Sequence, residues 1–183
     1  MANLAEDLRV QEIVRELQGA TLGGHALLAV LPRLRSLLGA ERVAAFKIVP
    51  AQGGGYEAQF IFFEGFSAGS ELKFTDWLKT APPRAFAFDT GEPQESQRNL
   101  VVRLRDLLTA DQLAKLPVYR DLFPLLGLTG LDWIRLLVCD GPKLLAWVGA
   151  FRAQPFTEVE TQRLQQLVPN LISRLALEAT LYK

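Results

Sequence analysis

The residues that could perform nucleophilic catalysis are one histidine, His25, and one serine, Ser67, in the pentapeptide Gly65-Phe66-Ser67-Ala68-Gly69. This pentapeptide matches the G-x-S-x-G pattern that exposes the nucleophilic serine of many hydrolases. In those enzymes a long helix follows the serine and the histidine comes later in the chain. Here a short loop follows Ser67 and His25 precedes it. We therefore predict no catalytic site, expect that the protein is not an enzyme, and expect His25 to begin a helix.

Metal binding and thiol chemistry lack the residues that they need. A zinc site takes several Cys, His or acidic ligands, and the chain has one histidine and one cysteine, Cys139. A reactive thiol needs nearby cations or a helix N-terminus to lower its pKa, and Asp140 beside Cys139 has the opposite effect. The run Gly53-Gly54-Gly55 lacks the Lys-Ser or Lys-Thr and the helix of a phosphate-binding loop. We predict no metal and no cofactor, and we expect Cys139 to be a small buried residue.

Composition favours a single folded domain without affinity for nucleic acids or membranes. Of the 183 residues, 49% are hydrophobic and 22% are charged, which is enough apolar surface for a core. The 20 basic and 20 acidic residues give no net charge, so a basic surface for phosphate backbones is not expected. Charged residues interrupt every apolar run before the roughly 18 residues of a membrane span. The first ten residues do not resemble a secretory signal, so we expect a cytoplasmic location.

Hydrophobic residues recur at helical spacing near both ends of the chain. Residues 4–17 predict one amphipathic helix, and residues 25–38 predict a second. Pro32 lies inside the second helix, where we expect it to kink the axis or to delay the start. The sequence Thr157-Glu158-Val159-Glu160 is a capping box, which predicts a final helix from there to the last residue.

In the middle of the chain, apolar and polar residues alternate as they do in β-strands. Predicted strands cover residues 42–49, 56–64, 84–88, 131–139 and 143–152. A short helical turn at 75–79 and a helical insert over 94–126, with a capping box at Thr109, separate them. This order predicts an α+β fold, an antiparallel β-sheet with the N- and C-terminal helices packed on one face and the insert over the other. We expect one domain over 1–183, with an N-terminal helix at 1–19, a core at 20–156 and a C-terminal helix at 157–183.

Two stretches of the sequence resemble GAF-like sensory domains. The first, Leu37-Leu38-Gly39-Ala40-Glu41-Arg42-Val43-Ala44-Ala45-Phe46, is similar to the junction between a leucine-rich helix end and the first strand. The second runs from Leu126-Gly127-Leu128 through the hairpin at 133–152 to Pro155-Phe156-Thr157-Glu158-Val159-Glu160, and is similar to the last two strands and the closing helix. The closest similarity is to the N-terminal regions of LuxR-type and related bacterial transcription regulators. The resemblance implies a GAF/PAS-like fold.

The resemblance also implies where a ligand would bind, because GAF-like domains hold small molecules between the sheet and the insert. Tyr56, Ala58, Phe60 and Phe62 alternate along one strand, so we expect them to share one face. The candidate ligand-binding residues are Phe60, Phe62, Phe86, Phe88, Trp133 and Arg135. A cation such as Arg135 on a central strand must meet an anionic partner or reach solvent. A ligand carboxylate or phosphate would be such a partner; the alternative is an Arg135 that faces outward at a sheet edge.

Domains of this type commonly pair through their terminal helices, so the resemblance suggests a homodimer held by a parallel helical bundle. The candidate dimerisation residues are the apolar positions of the first and last helices: Val10, Ile13, Val14, Leu17, Ile172, Leu175, Ala179 and Tyr182. The alternative is that both helices pack on their own sheet.

These expectations favour a non-catalytic sensory or regulatory module in bacterial signal transduction or transcription regulation. A small-molecule ligand or a partner protein would bias the position of the final helix, and an output domain or partner would receive the signal. The alternative is a protein-interaction adaptor of the same fold, in which Phe and Trp side chains fill the gap and no small ligand binds.

Overall fold

The computed structural model describes residues 2–19, 25–81 and 93–181. The helices are α1 (Ala2–Gly19), α2 (Ala26–Leu38), α3 (Ser70–Leu78), α4 (Leu104–Leu107), α5 (Ala110–Lys115), α6 (Phe123–Leu126) and α7 (Glu158–Leu181). The strands are β1 (Arg42–Pro50), β2 (Tyr56–Glu64), β3 (Val102–Arg103), β4 (Asp132–Asp140) and β5 (Lys143–Arg152). A 3₁₀ turn at Glu95–Gln97 and a π-helical segment at Val118–Leu122 complete the secondary structure of these residues.

The strands form one antiparallel sheet in the order β2-β1-β5-β4-β3. The predicted boundaries of β1, β2, β4 and β5 agree with the structure to within one residue. β3 was not predicted, because its two residues lie among leucines that are spaced as in a helix and are too few to alternate. The strand predicted at 84–88 lies outside the described residues.

One face of the sheet carries α1, α2 and α7, which we call the terminal-helix layer. Leu27 of α2 is buried in one core with Val43 and Ile134 of the sheet, and α1 packs on α2 and α7. Helix α2 begins at Ala26 with Pro32 in its interior, so the proline does not delay its start. Among the described residues, no helix combines the length and the apolar composition that crossing a bilayer requires.

The other face of the sheet carries α3 and the segments from α4 to α6, which we call the insert layer. Phe74 of α3 and Phe123 of α6 are buried in a second core on this face. Pro117 separates α5 from the π-helical segment, as proline does where it interrupts backbone hydrogen bonding, whereas Pro124 lies in the first turn of α6 and causes no break. The predicted capping box at Thr109 is present at the start of α5. The predicted α+β architecture is therefore confirmed.

The two stretches that resemble known domains form the junctions of this fold. Gly39 ends α2 in the left-handed conformation, with φ of 55°. The Glu41 N–H then donates to the Phe151 carbonyl over 2.9 Å, which fastens the start of β1 to the end of β5. At the start of α7 the Glu160 carboxylate accepts from the Thr157 N–H over 2.7 Å. This is one bond of the predicted capping box, and it fixes where α7 leaves the sheet.

Candidate functional site

The gap between the sheet and the insert layer is filled by the protein's own side chains. A cavity of about 20 Å³ remains there, and its described lining is apolar and mostly aromatic. This is room for about one water molecule, whereas small-molecule sites usually measure about 300 to 1,000 Å³. The described side chains therefore leave no room for a metabolite in this gap.

Stacked aromatic rings account for the filling of the gap. The rings of Phe46 and Trp147 stack at 4.8 Å between centroids, and those of Trp133 and Phe151 at 5.8 Å. Gly149 makes this arrangement fit, because a Cβ atom there would lie 2.2 Å from a carbon of the Trp147 ring. The Trp147 ring therefore lies over β5 at Gly149, which has no side chain.

The structure divides the predicted ligand residues between the two faces of the sheet. Trp133 lies in the core under the insert layer. Phe62 lies in the opposite core, under the terminal-helix layer, and Phe60 packs against that same core. The prediction that Phe60 and Phe62 line the insert face was therefore wrong. Phe86 and Phe88 lie outside the described residues.

A β-bulge explains why Phe60 and Phe62 face the terminal-helix layer. The register between β1 and β2 shifts between Lys47 and Ile48, which leaves Gln59 as the extra residue of β2. One extra residue exchanges the faces of all the side chains beyond it. Tyr56 and Ala58 accordingly pack against the insert-side core, whereas the residues from Phe60 onward alternate in the opposite phase.

Arg135 is a buried cation on the insert face of β4. It is 1% exposed, and its Nη2 lies 3.4 Å from the Gln97 Oε1. Burial lowers the pKa of Arg135 to about 10, so the guanidinium keeps its charge at neutral pH. The alternative of an outward-facing arginine at a sheet edge is wrong, because β3 and the Asn99 segment cover this side of β4.

A cluster of buried charged groups, which the sequence analysis missed, links α7 to the sheet. The Glu178 carboxylate near the end of α7 lies 2.6 Å from the Lys47 Nζ on β1 and 3.2 Å from the Arg174 Nε. Glu178 also accepts a hydrogen bond of 2.8 Å from the Ala26 N–H at the start of α2. The His25 Nδ1 lies 3.3 Å from the same Lys47 Nζ. We call Lys47, Arg174, Glu178 and His25 the polar cluster.

The polar cluster has a signal in the sequence, because charged residues stand where apolar ones are expected. Lys47 interrupts the apolar run of β1, and Glu178 continues the core-facing positions of α7 after Leu171 and Leu175. Lys47 is 7% exposed and Glu178 is 1% exposed. Burial of such charges is costly unless they pair, so two of them at core positions indicate a tertiary ion pair.

The pKa values of the polar cluster follow from these contacts. Burial alone would raise the pKa of Glu178, but Lys47, the Ala26 N–H and Arg174 stabilise the carboxylate, so its pKa lies below the ordinary 4.5. Burial and the neighbouring Lys47 lower the pKa of His25 below 6.5, against the attraction of Glu178. The cluster therefore holds a charged Glu178 and a neutral His25 at neutral pH.

The structure places His25 and Ser67 in different layers and does not bring them together. His25 precedes α2 as predicted, and its ring packs on Phe60 and Phe62 under the terminal-helix layer, with centroids 4.3 and 5.4 Å away. Ser67 lies in the turn before α3, in the insert layer, and its carbonyl accepts a hydrogen bond from the Ser70 N–H. Cys139 is buried as predicted, and burial raises the pKa of its thiol to about 11.

The predicted dimerisation residues are largely used inside the chain. Ile13, Leu17 and Leu175 are buried in the core of the terminal-helix layer, so they cannot contact a second copy while this core is intact. The partly buried positions, which also pack against that core, are Val10, Val14, Ile172 and Ala179. Tyr182 lies outside the described residues. The exposed large apolar side chains in the described parts of α1 and α7 are instead Leu4, Leu8, Val159, Leu177 and Leu181.

Comparison with known proteins identifies the fold. No family model and no curated protein matches the sequence. The GAF domain of an Acinetobacter phosphoenolpyruvate-protein phosphotransferase is similar over 100% of this chain and 99% of its own, with 14% identity and a TM-score of 0.59. The VqsR LBD domain of Pseudomonas aeruginosa is similar over 94% and 98%, with 16% identity and a TM-score of 0.55.

A third solved structure, the phycoerythrobilin-bound GAF domain of a cyanobacterial phytochrome, is similar over 97% of both chains, with 14% identity and a TM-score of 0.52. Identities this low establish the fold and nothing of the ligand or activity. The chain has a GAF-like fold.

Proposed function

We propose that this chain is a non-catalytic regulatory module in which the position of the end of α7 carries the signal. The observation behind the proposal is the polar cluster, in which Glu178 joins α7 to β1 and to the start of α2. Whatever shifts β1 or the entry to α2 acts directly on α7 through these bonds. Such coupling requires that the ligand or partner binds one arrangement of α7 more tightly than the other.

The regulatory assignment has support from the fold and from the described site residues. Solved domains with this fold include the VqsR LBD domain and a bilin-bound domain of a phytochrome. His25 and Ser67 contact different layers of the protein, and the thiol of Cys139 is protonated at neutral pH. A role in bacterial signal transduction, by analogy with the LuxR-type regulators, accords with both observations.

The proposed module is a homodimer that pairs through the outward faces of α1 and α7. Leu4 and Leu8 are one helical turn apart on α1 and are 73% and 53% exposed. Leu177 and Leu181 have the same spacing near the end of α7 and are 44% and 51% exposed. In a parallel bundle of two copies each leucine pair meets its own counterpart, which is the self-complementary contact that a two-fold axis requires.

Light scattering tests the pairing. The wild-type chain is expected at twice the 20.3 kDa of one copy, and the double variant Leu4→Glu/Leu8→Glu at the mass of one copy. The matched control is Leu72→Glu/Leu125→Glu, which changes two exposed leucines of the insert layer and leaves the dimer intact. A monomeric wild type, or a dimer that survives the α1 substitutions, overturns the pairing.

A second candidate function is a protein-interaction adaptor that binds no small molecule. The observation in its favour is the 20 Å³ cavity under the insert layer, which the aromatic side chains leave too small for a metabolite. A native mass spectrum of the purified protein separates the two functions. The adaptor predicts the mass of the polypeptide alone, whereas a bound small molecule excludes the adaptor and favours a sensor.

A further inference from the structure

A second cleft lies on the terminal-helix side of the sheet, away from the aromatic gap. It measures about 340 Å³ and lies between the end of α7 and the neighbouring ends of β1 and β5. This volume falls within the range of small-molecule sites. Leu145, Leu175 and Ala179 contribute apolar lining, and Lys47, Lys143 and Glu178 contribute charged groups.

The charges around the cleft favour an anion. The ionisable groups in its described lining are two lysines and one carboxylate, and that carboxylate is Glu178, which Lys47, Arg174 and the Ala26 N–H already contact. Arg174 is itself 6% exposed and adds a further positive charge behind Glu178. An anion in the cleft would gain from this excess of positive charge, because partial burial weakens screening by water.

We propose that this cleft binds a small organic carboxylate with an apolar body. Lys143, which is exposed at the start of β5, provides the contact with the ligand carboxylate, and the charge of Lys47 adds attraction from the inner wall. The apolar body of the ligand packs on Leu145, Leu175 and Ala179. This arrangement has the composition typical of ligand sites, which are apolar with a few convergent polar groups.

A ligand in this cleft would act on α7 directly. Glu178 and Ala179 belong to the last turns of α7, so occupancy of the cleft bears on the same helix turns that the polar cluster holds. This coupling rests on the proposed regulatory function, whereas the binding itself does not. The two claims therefore need separate measurements.

Calorimetric titration with 3-phenylpropanoate tests the site, with its neutral amide and inorganic phosphate as comparison probes. Wild type is expected to bind the carboxylate at least about tenfold more tightly than either comparison, because a charge-assisted contact is lost with the amide and the apolar contact with phosphate. Lys143→Ala is expected to weaken binding about tenfold. Ala179→Phe fills the cleft and is expected to abolish binding. The matched control Lys115→Ala, an exposed lysine of α5, leaves binding unchanged.

Tryptophan fluorescence locates the bound probe. Trp77, Trp133 and Trp147 all pack in the core under the insert layer. Binding in the proposed cleft therefore leaves the emission unchanged, and a quenched or shifted emission places the probe in the aromatic gap and overturns the proposal. Absence of heat with wild type, equal binding of phosphate, or full binding by folded Lys143→Ala also overturns it. If the probe binds but the amide exchange of α7 does not change, the binding site is supported and its coupling to the signal is rejected.

Discussion

The Glu178 carboxylate on α7 and the Lys47 ammonium on β1 lie 2.6 Å apart, in a part of the protein where both are almost completely buried. Glu178 also accepts from the Ala26 N–H, so one side chain fixes the end of the last helix to a strand and to the start of another helix. The proposed regulatory role of α7 rests on this contact, because it joins the end of the helix to the sheet. Under the proposed function, a shift of β1 would act on α7 through this contact.

Removal of Lys47 is expected to destabilise the protein. Lys47→Met leaves Glu178 in a buried position without its nearest cation, and loss of one partner of a buried pair costs about 3 to 5 kcal/mol. Because Arg174 and the Ala26 N–H remain, we expect the free energy of unfolding to fall by about 2 to 3 kcal/mol. Urea denaturation measures this loss. The matched control is Lys79→Met, which breaks the exposed pair with Asp76 and is expected to cost less than about 1 kcal/mol. Equal losses of stability in Lys47→Met and Lys79→Met would show that the buried pair of Lys47 contributes no more than an exposed one, which would contradict the account.

Acid is expected to weaken the attachment of α7. The pKa of Glu178 in the folded protein lies below 4.5, so the stability that its charged form contributes is complete above pH 4.5. That contribution is lost as the pH falls through the folded pKa. Denaturation from about pH 7 to pH 3 is expected to show a shallower acid decline for Glu178→Gln than for wild type. The Glu178→Gln variant is still expected to lose some stability in acid, because the pKa of Glu160 is also lowered. Parallel curves would exclude Glu178 as a source of the acid sensitivity.

Replacement of Gly149 is expected to disrupt the aromatic core. A methyl group at this position would lie 2.2 Å from the Trp147 ring, so the ring must move out of its stack with Phe46. Overpacking of a core costs about 1 to 3 kcal/mol, and we expect Gly149→Ala to lie at the upper end. The control Gly19→Ala meets no atom within 4 Å and is expected to be neutral in the same unfolding assay. A Gly149→Ala protein as stable as wild type would show that the stack adapts.

Cys139 is expected to resist alkylation in the folded protein. Burial raises the pKa of its thiol to about 11, which leaves very little of the reactive thiolate near neutral pH. Mass spectrometry after iodoacetamide treatment is expected to show an unmodified folded chain and a singly modified chain in urea. Because the sequence has one cysteine, each product has one assignment. Rapid modification of the folded chain would instead assign Cys139 to an accessible thiol site.

The sequence was sufficient for the elements whose local signals agree with the tertiary structure. The short break between the strands predicted at 131–139 and 143–152 defined the β4–β5 hairpin, and Gly141 in that break takes the positive φ that such a turn requires. The capping boxes at Thr109 and Thr157 placed the starts of α5 and α7. The order of these elements was enough to predict helices on both faces of an antiparallel sheet.

The missed features depend on register and on contacts between distant residues. The bulge opposite Lys47 leaves no composition signal in β2, yet it moves Phe60 and Phe62 to the other face. The pairing of Lys47 with Glu178 joins residues that the sequence places far apart, so periodicity could mark each as unusual but could not bring them together. The gap between the sheet and the insert was predicted from the resemblance. Aromatic side chains from several elements fill it, and how tightly their rings pack depends on the tertiary structure.

Amide hydrogen exchange in wild type and in Lys47→Met tests most directly whether the polar cluster holds the end of α7. Loss of Lys47 is expected to speed the exchange of residues 174–181 and of the first turn of α2 by a larger factor than the exchange of β5, because local release adds to global unfolding. The same factor in all three elements, or unchanged protection at the end of α7, would contradict the account.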